Sequence, residues 1–496
     1  MIADPLGRAR QPVLAVALAA LLSPLLPVPA SAQGVRGSAT TTFRYVEVRP
    51  LVEDTVARSR VTEGPDGVLT FRGSPVTCDG RGRCTFLHSP STEAAMTVVQ
   101  DASFTSWGFG VQGLSASVQL RGREELSEGF VWPRAEDPLD LIEGYLQYNR
   151  DIFRVRLGRQ RTRSGLGFAS FDGLHVLAEP ESWLTARIFG GRSLAKGLHE
   201  PRHDALEGVE DFLLDRDAFL LGGAVGLEPE ATTSITLRYQ REIWDNRAAL
   251  LSERASADLR TGLLRPVRVT GSLDYDFAFA RVGKAHLTAQ VPLLDGELMV
   301  EATGRRYVPY FELWTIWGLF NPVAYHEGRL RTTWSPLPRL GVWAQASYRD
   351  YGDTGTSPIL GPLEDDAYRF GAGARWEAST VLDLSGSYEV ERGAGAFLST
   401  GEVSARWRAL PRLDLSFHGM AAQQIEEFRL GEGMVAGGGL RGAYDLRDDL
   451  QIAGGAMLYR RFFENRPAQV DWNQFRAWTS LRVEVGGDPG LRRGER

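Results

Sequence analysis

The sequence predicts an all-β fold, a closed antiparallel barrel of about 18 strands (roughly 16 to 20) that crosses a membrane. Three observations predict it: an export signal at the N-terminus, alternation of apolar and polar residues through most of the chain, and no later apolar run as long as a membrane-spanning helix. Hydrophobic residues make up 43% of the 496 residues, which is ordinary for soluble proteins. The distribution of these residues, rather than their number, therefore carries the prediction.

The N-terminal segment predicts export. Arg8 and Arg10 precede an apolar run at 13–26, and Ala30-Ser31-Ala32 offers a small-residue cleavage site. A charged start, a short apolar run and a small-residue exit are typical of a secretory signal peptide, so we expect residues 1–32 to be removed. An uncleaved anchor is less favoured because the run is shorter than the roughly 20 residues that a spanning helix needs.

The alternation is clearest in the segment that starts at Leu382. Successive strand side chains point to opposite faces, so this segment has one apolar face and one polar face. The apolar set is Leu382, Leu384, Gly386, Tyr388 and Val390, and the polar set is Asp383, Ser385, Ser387, Glu389 and Glu391. Such segments run for about ten residues, which is typical of transmembrane strands and long for globular ones. A secreted multi-sheet protein is the alternative.

Strand number follows from spacing. Segments begin near 340, 368, 382, 402, 413, 434, 452 and 475, or about 19 residues apart, which gives roughly 20 strands over 96–486. Adding a strand at 41–48 and deducting loops leads to 18. The predicted organisation is a signal peptide at 1–32, a first strand and long loop with a cysteine pair at 33–95, the barrel at 96–486, and a tail at 487–496.

Charge and cysteine content narrow the function classes. The 56 basic and 62 acidic residues give a net charge of −6, which disfavours general nucleic-acid binding. Cys78 and Cys84 are the two cysteines of the chain, and in an exported protein we expect them to form a disulfide. A metal site is less favoured there, because no second pair of metal ligands lies near the two cysteines and His88 stands alone.

Two segments offer alternatives to plain loops. His199-Glu200-Pro201-Arg202-His203 fits the zinc-hydrolase spacing, but Pro201 disfavours the helix that this chemistry needs. We therefore expect a solvated loop, no enzyme activity, no metal and no cofactor. The aromatic segment at 307–322 is expected either to pack on the wall or in a girdle, or to enter the pore and stack on sugars; its candidate residues are Tyr310, Phe311, Trp314 and Trp317.

The polar residues that alternate with the apolar ones along each strand predict a lumen lined by charged side chains. Charged rings select ions in channels, whereas charges that pair across strands only stiffen and hydrate the wall, and both interpretations stay open here. The candidate lumen residues are Arg154, Arg156, Arg238, Arg369, Arg375, Arg406, Asp383, Glu389 and Glu391. The predicted function is a channel in the outer membrane of a diderm cell for passive diffusion of small polar solutes or oligosaccharides. Its partners would be membrane lipid and these solutes.

One segment resembles a known family. Arg156-Leu157-Gly158-Arg159-Gln160, followed by Gly165 and by Phe171-Asp172-Gly173-Leu174, is similar to a strand-and-loop signature of the porin-like alginate-export barrels of bacterial outer membranes. The resemblance implies an 18-stranded barrel and passage of an anionic polysaccharide through an arginine-rich lumen, with Arg156, Arg159 and Arg163 as the matching positions. A dedicated exporter of this kind and an outer-membrane hydrolase are the two alternatives to a passive channel.

Overall fold

The computed structural model contains two antiparallel β-sheets. It describes residues 34–48, 52–63, 69–72, 74–88, 92–127, 139–194, 218–244, 250–263, 266–308, 324–351, 365–393, 396–427, 433–463 and 472–486. Within these ranges there are 27 strands, of which 22 form one sheet and five form another. No helix in the described part of the chain is long and apolar enough to cross a membrane.

The large sheet is a closed barrel in which every strand is antiparallel to both neighbours. Its strands are β1 (Gly34–Val48), β7 (Glu93–Trp107), β8 (Leu114–Glu125), β9 (Leu139–Arg150), β10 (Phe153–Ser164), β11 (Gly167–Glu181), β12 (Leu184–Ser193), β13 (Ala218–Glu230), β14 (Thr233–Trp244), β15 (Leu250–Thr261), β16 (Arg268–Asp276), β17 (Arg281–Leu293), β18 (Leu298–Tyr307), β19 (Tyr325–Leu337), β20 (Leu340–Tyr351), β21 (Asp366–Ser379), β22 (Leu382–Gly393), β23 (Ala396–Leu410), β24 (Leu413–Glu427), β25 (Gly433–Arg447), β26 (Leu450–Phe463) and β27 (Trp472–Val485). β1 pairs with β7 on one side and with β27 on the other, with Gly37 opposite both Phe104 and Val485. This double pairing closes the cylinder and leaves no free edge.

The predicted transmembrane β-barrel is confirmed, but the predicted strand number of about 18 is wrong, because the barrel has 22 strands. The 18 strands that the alginate-export resemblance implies differ from this number as well. The spacing of about 19 residues already contained the connecting loops, so deducting loops a second time removed strands that exist. The segment starts themselves were close: β20, β22 and β24 begin at Leu340, Leu382 and Leu413.

The outer face of the barrel is apolar. Large side chains such as Ile188, Leu221 and Phe370 are 62%, 62% and 58% exposed. A soluble protein rarely exposes so continuous an apolar surface, whereas a barrel that closes its backbone hydrogen bonds can present it to lipid.

The two ends of the barrel differ in the length of their connections. At the short-turn end, ten connections of two to six residues join successive strands, among them Pro411-Arg412 and Asp448-Asp449. Both the start of β1 and the end of β27 lie at this end. The long-loop end carries the long connections, including 49–92, 194–217, 308–324 and 352–365, and also the two-residue turn at 165–166. In bacterial outer-membrane barrels the short turns face the periplasm.

The small sheet lies within the first long connection, between β1 and β7. Its strands are β2 (Val52–Ala57), β3 (Thr62–Glu63), β4 (Leu69–Phe71), β5 (Ser74–Cys78) and β6 (Arg83–His88), in the order β2-β6-β5-β4-β3. Cys78 and Cys84 are disulfide-bonded across the β5–β6 turn, with their Cα atoms 3.8 Å apart. Asp79 Oδ1 accepts the backbone N–H groups of Arg81 and Arg83 at 3.0 and 2.8 Å, which fixes the turn.

Candidate channel and its constriction

The nine candidate lumen residues all have the parity opposite to the exposed apolar side chains. Contacts on this face skip a strand: Arg349 Nη1 of β20 reaches Glu391 Oε1 of β22 at 3.2 Å, and Gln345 Nε2 donates to Glu389 Oε1 at 2.9 Å. Strands two apart are separated by roughly 10 Å. Side chains bridge this gap readily where they converge on the concave side of a sheet, so we refer to this surface as the inner face.

One part of the inner face, on β18 to β22, is a paired wall. Arg349 contacts Glu327 at 3.1 Å and Glu391 at 3.2 Å, and Arg369 Nε donates to the same Glu391 at 2.6 Å. These side chains are well shielded, since Arg349 is 16% and Glu327 only 9% exposed. Both of these guanidinium groups thus have a carboxylate beside them, which offsets their charge.

The paired wall continues with a stacked arginine. The guanidinium of Arg331 lies 4.4 Å from the ring centroid of Trp343, and Arg331 Nη1 donates to Gln345 at 3.5 Å. The Trp343 ring fills the space over Gly373, where a Cβ would lie 2.6 Å from Trp343 Nε1. The indole thus lies between the guanidinium of Arg331 and the backbone of Gly373.

Toward the short-turn end the pairs are looser. Arg375 lies 3.7 Å from Asp383 and Arg406 lies 3.4 Å from Asp414, with the two arginines 68% and 61% exposed. Exposed pairs of this kind are worth about 0–1 kcal/mol, so these residues hydrate the wall more than they stabilise it.

A second part of the inner face, on β10 to β12, is a basic wall formed by Arg154, Arg156 and Arg187. Arg154 Nε donates to Asn149 Oδ1 at 3.0 Å, and Arg156 Nε donates to Gln147 Oε1 at 2.6 Å, so both guanidinium groups bond neutral acceptors. The Arg187 Nε atom is buried without a hydrogen-bond partner. Among the described residues no carboxylate forms an ion pair with any of the three. Arg238, two strands beyond Arg187 and in the same register, pairs with Asp258.

A hairpin formed by the ends of β10 and β11 leaves the barrel wall. The pairing of β9 with β10 ends at Gly144 and Arg159, and the pairing of β11 with β12 ends at Phe171 and Ser193. β10 and β11 nevertheless stay paired to each other as far as Ser164 and Gly167. Within the described residues, the inward hairpin, residues 160–171, therefore pairs with a wall strand only at its base, where Phe171 is opposite Ser193 and the Ser170 carbonyl accepts the N–H of Leu194.

A glycine marks the point of departure. Gly158 has φ +128°, and a Cβ there would lie 2.3 Å from the carbonyl oxygen of Gly144. Such a φ is accessible essentially to glycine alone. β10 can therefore turn away from β9 at this residue while its backbone remains in close contact.

The tip of the inward hairpin points across the inner face. A Cβ on Gly165 would lie 3.3 Å from Arg238 Nη1 and 3.5 Å from Asp258 Oδ2, which belong to β14 and β15. The tip has thus passed over β12 and β13. It reaches the Arg238–Asp258 pair, whose position shares a register row with Arg187 of the basic wall.

Apolar contacts hold the hairpin in this position. Phe171 is 1% exposed and stacks on Phe189 of β12 with ring centroids 5.5 Å apart, while Leu166 and Leu220 are each 3% exposed. Gln160, 2% exposed, donates to the Gly173 carbonyl at 2.9 Å. A wide water-filled barrel would leave inner-face side chains wet, so this burial shows that the hairpin covers the wall.

The residues of the family resemblance lie in this hairpin and its base. Arg156 is part of the basic wall, and Arg159 forms a bidentate pair with Asp172 at 2.8 and 2.9 Å. Arg161, which the motif did not single out, bonds Glu143 at 3.0 Å and Gln119 at 2.8 Å. Arg163 is exposed on the hairpin. Of the three positions, Arg159 is therefore neutralised by a carboxylate.

Other predicted residues lie outside the described part of the chain. These are Tyr310, Phe311, Trp314, Trp317, His199, Glu200 and His203. Within the described ranges, no group of three or more His, Cys, Asp or Glu residues is arranged to hold a metal ion. Three further arginines lie at inner-face positions but were not among the predicted lumen residues: Arg329, Arg331 and Arg349. Their alternation with apolar neighbours indicates the inner face as clearly as that of Arg369.

Comparison with known proteins identifies a fold but no family. No family model and no curated protein matches the sequence. A point mutant of the ferric enterobactin receptor PfeA of Pseudomonas aeruginosa is similar in structure, with a TM-score of 0.50, 10% identity, and 90% of this chain aligned to 80% of that one. A BenF-like porin of Pseudomonas fluorescens and OccAB1 of Acinetobacter baumannii each give a TM-score of 0.41 at 10% identity, with 92% of this chain covering 100% of theirs. The chain therefore has the fold of an outer-membrane β-barrel.

Proposed function

We propose that the protein is an outer-membrane channel through which small polar solutes or oligosaccharides diffuse passively. The observation that carries this proposal is the inner face, which is charged on β10 to β15 and on β18 to β22 and is narrowed by an inward hairpin. A barrel of 22 strands is wider than its side chains can fill. In the described part of the chain, all residues belong to the wall, its turns, the hairpin or the small sheet, so these ranges contain no further domain.

The direct test is conductance of the purified barrel in a planar bilayer. We expect stepwise ion current and swelling of proteoliposomes in neutral sugars up to a size limit that the hairpin sets. Heat-denatured protein from the same preparation is the control. Absence of both current and swelling in correctly folded protein would refute the channel.

A second candidate function is passage of an anionic polysaccharide, which the basic wall favours. Three arginines without carboxylate partners create a positive field beside the narrowed section of the lumen. Reversal potential in a salt gradient tests this candidate, and we expect preference for the anion. A cation-selective channel would contradict it, while leaving the passive channel intact.

The proposed mechanism contains no covalent step. The hydrolase alternative depends on His199, Glu200 and His203, which lie outside the described residues. Zinc analysis of protein purified without chelator tests it independently of conductance.

A further inference from the structure

The outer face carries a groove that a channel does not need. Gly304 of β18 and Gly328 of β19 lie directly opposite each other, flanked by Leu287 of β17 and Tyr348 of β20 in the same register row. A Cβ on either glycine would meet nothing within 4 Å. The resulting open groove has a volume of about 690 Å³, and most of its lining is apolar. Two missing side chains thus leave a notch in an otherwise continuous apolar surface.

The groove lies at one border of the apolar band. Tyr348 contacts Tyr368 with ring centroids 5.0 Å apart on the long-loop side, and Trp334 and Trp376 are about half exposed on the short-turn side. Trp334 is opposite Val342 on β20, six residues from Tyr348, or roughly 20 Å along the strand. Aromatic rows on the two sides of an apolar band mark the interfaces of a bilayer. The groove therefore opens at the level of the head groups nearest the long loops.

Charged residues lie directly above the groove. The next row toward the long loops contains Arg306, His326 and Asp350, which are exposed neighbours on β18, β19 and β20. Within the described residues, none of the three forms a hydrogen bond or an ion pair. Arg306 follows Gly304 by two residues on the same face, so its Cα lies about 7 Å along the strand from that of Gly304.

We propose that this groove binds one anionic, phosphate-bearing lipid of the surrounding membrane. An acyl chain would lie over Gly304 and Gly328 between the side chains of Leu287 and Tyr348, and the phosphate would contact Arg306. The groove is only two strands wide, which suits one hydrocarbon chain. The flat wall of a neighbouring barrel would instead span the groove and leave it empty. The fixed positive charge of Arg306 selects an anionic head group, and the carboxylate of Asp350 weakens that selection.

The test is native mass spectrometry of delipidated protein titrated with phosphatidylglycerol or phosphatidylcholine. Wild-type protein should retain one phosphatidylglycerol in preference to phosphatidylcholine. Gly304→Leu and Gly328→Leu fill the groove and should abolish the bound lipid, and the added Cβ of each meets no other atom within 4 Å. Arg306→Gln should reduce phosphatidylglycerol binding by about fivefold, and Asp350→Asn should strengthen it.

The matched control is Gly401→Leu. Gly401 lies on the same outer face opposite Tyr388, and its added Cβ makes an ordinary contact at 3.7 Å, so lipid binding should stay at the wild-type level. Unchanged binding in both groove-filling variants, or in Arg306→Gln, would overturn the proposal. A protein dimer that Gly328→Leu abolishes would also overturn it, because a second copy would then be the occupant. Conductance is measured on the same samples, so failure of the channel and failure of the lipid site are separable.

Discussion

The paired wall and the basic wall use the same residue type in opposite ways. In the paired wall, Arg349 is 16% exposed and lies between Glu327 and Glu391, so its charge is neutralised where it is placed. In the basic wall, Arg154 and Arg156 bond neutral amide oxygens and keep their charge available to the lumen. Arginine content alone therefore does not predict selectivity; the neighbouring strands decide whether a guanidinium stiffens the wall or acts on a solute.

The two walls also differ in backbone register. β20, β21 and β22 are paired from end to end with one irregularity, between Glu377 and Ser379, whereas β10 and β11 separate from both neighbours beyond Arg159 and Phe171. The inward hairpin then reaches the row of Arg187 and Arg238. Narrowing and positive charge thus coincide on one side of the lumen.

Removing the inward hairpin should have the largest effect. Replacement of residues 161–170 by an Asn-Gly turn keeps the wall pairing of β10 and β11 but takes away the segment that crosses the inner face. We expect single-channel conductance to rise roughly twofold or more, because the narrowest section is widened. The control is Arg163→Gln, which removes one exposed hairpin charge and should conduct nearly as the wild type does. Equal conductance of the deletion and the wild type would show that solutes do not pass the hairpin.

Neutralising the basic wall should have the next largest effect. Arg154→Gln with Arg187→Gln removes two charges beside the constriction, and the ratio of anion to cation permeability should fall by about threefold or more. Arg369→Gln with Arg375→Gln changes the net charge equally on the paired wall. Reversal potentials of the two double variants in the same salt gradient make the comparison. If the shifts are equal, overall charge governs selectivity and the distinction between the walls has no functional meaning.

Alternation in the sequence predicts the face on which a residue lies but not its partners. Arg369 and Glu391 were assigned to one face because each lies among apolar residues of opposite parity. That Gln345 reaches Glu389 across β21 depends on the curvature of the closed barrel and on Gly371 between them, whose added Cβ would lie 2.9 Å from Glu389. Neither follows from parity along one strand.

The inward course of the hairpin could not be predicted from the sequence either. The two-residue turn at 165–166 is typical of an ordinary wall connection, and the alternation of β10 resembles that of its neighbours. The departure of the hairpin from the wall is seen in the end of its pairing with β9 and β12, in the φ of Gly158 and in the position of Gly165 beside β14 and β15. The strand number was recoverable in principle, since the observed spacing already included the loops.

Breaking the paired wall should lower stability more than selectivity. Arg349→Met leaves Glu327, 9% exposed, and Glu391 with one cation fewer, and removing one partner of a shielded pair costs about 2–4 kcal/mol. Arg406→Met removes a pair that is 61% exposed on the arginine side and should cost less than about 1 kcal/mol. Urea unfolding of the two variants in lipid vesicles gives the comparison. A loss at Arg349 no larger than at Arg406 would mean that the paired wall is as wet as the looser pairs.

Removing the disulfide should have the smallest effect on the barrel. Cys78→Ser with Cys84→Ser opens a seven-residue ring in the small sheet, which lowers the local stability of that sheet by about 2 kcal/mol in the chain-entropy account. None of the described strands of the small sheet pairs with a barrel strand, so the closure of β1 with β7 and β27 is untouched. Limited proteolysis should therefore cut the variant between residues 49 and 92 faster than the wild type, while urea unfolding and conductance of the barrel stay the same. A parallel fall in conductance would instead indicate that the small sheet lies over the entrance of the lumen. Solutes would then meet the small sheet before they reach either the paired wall or the basic wall.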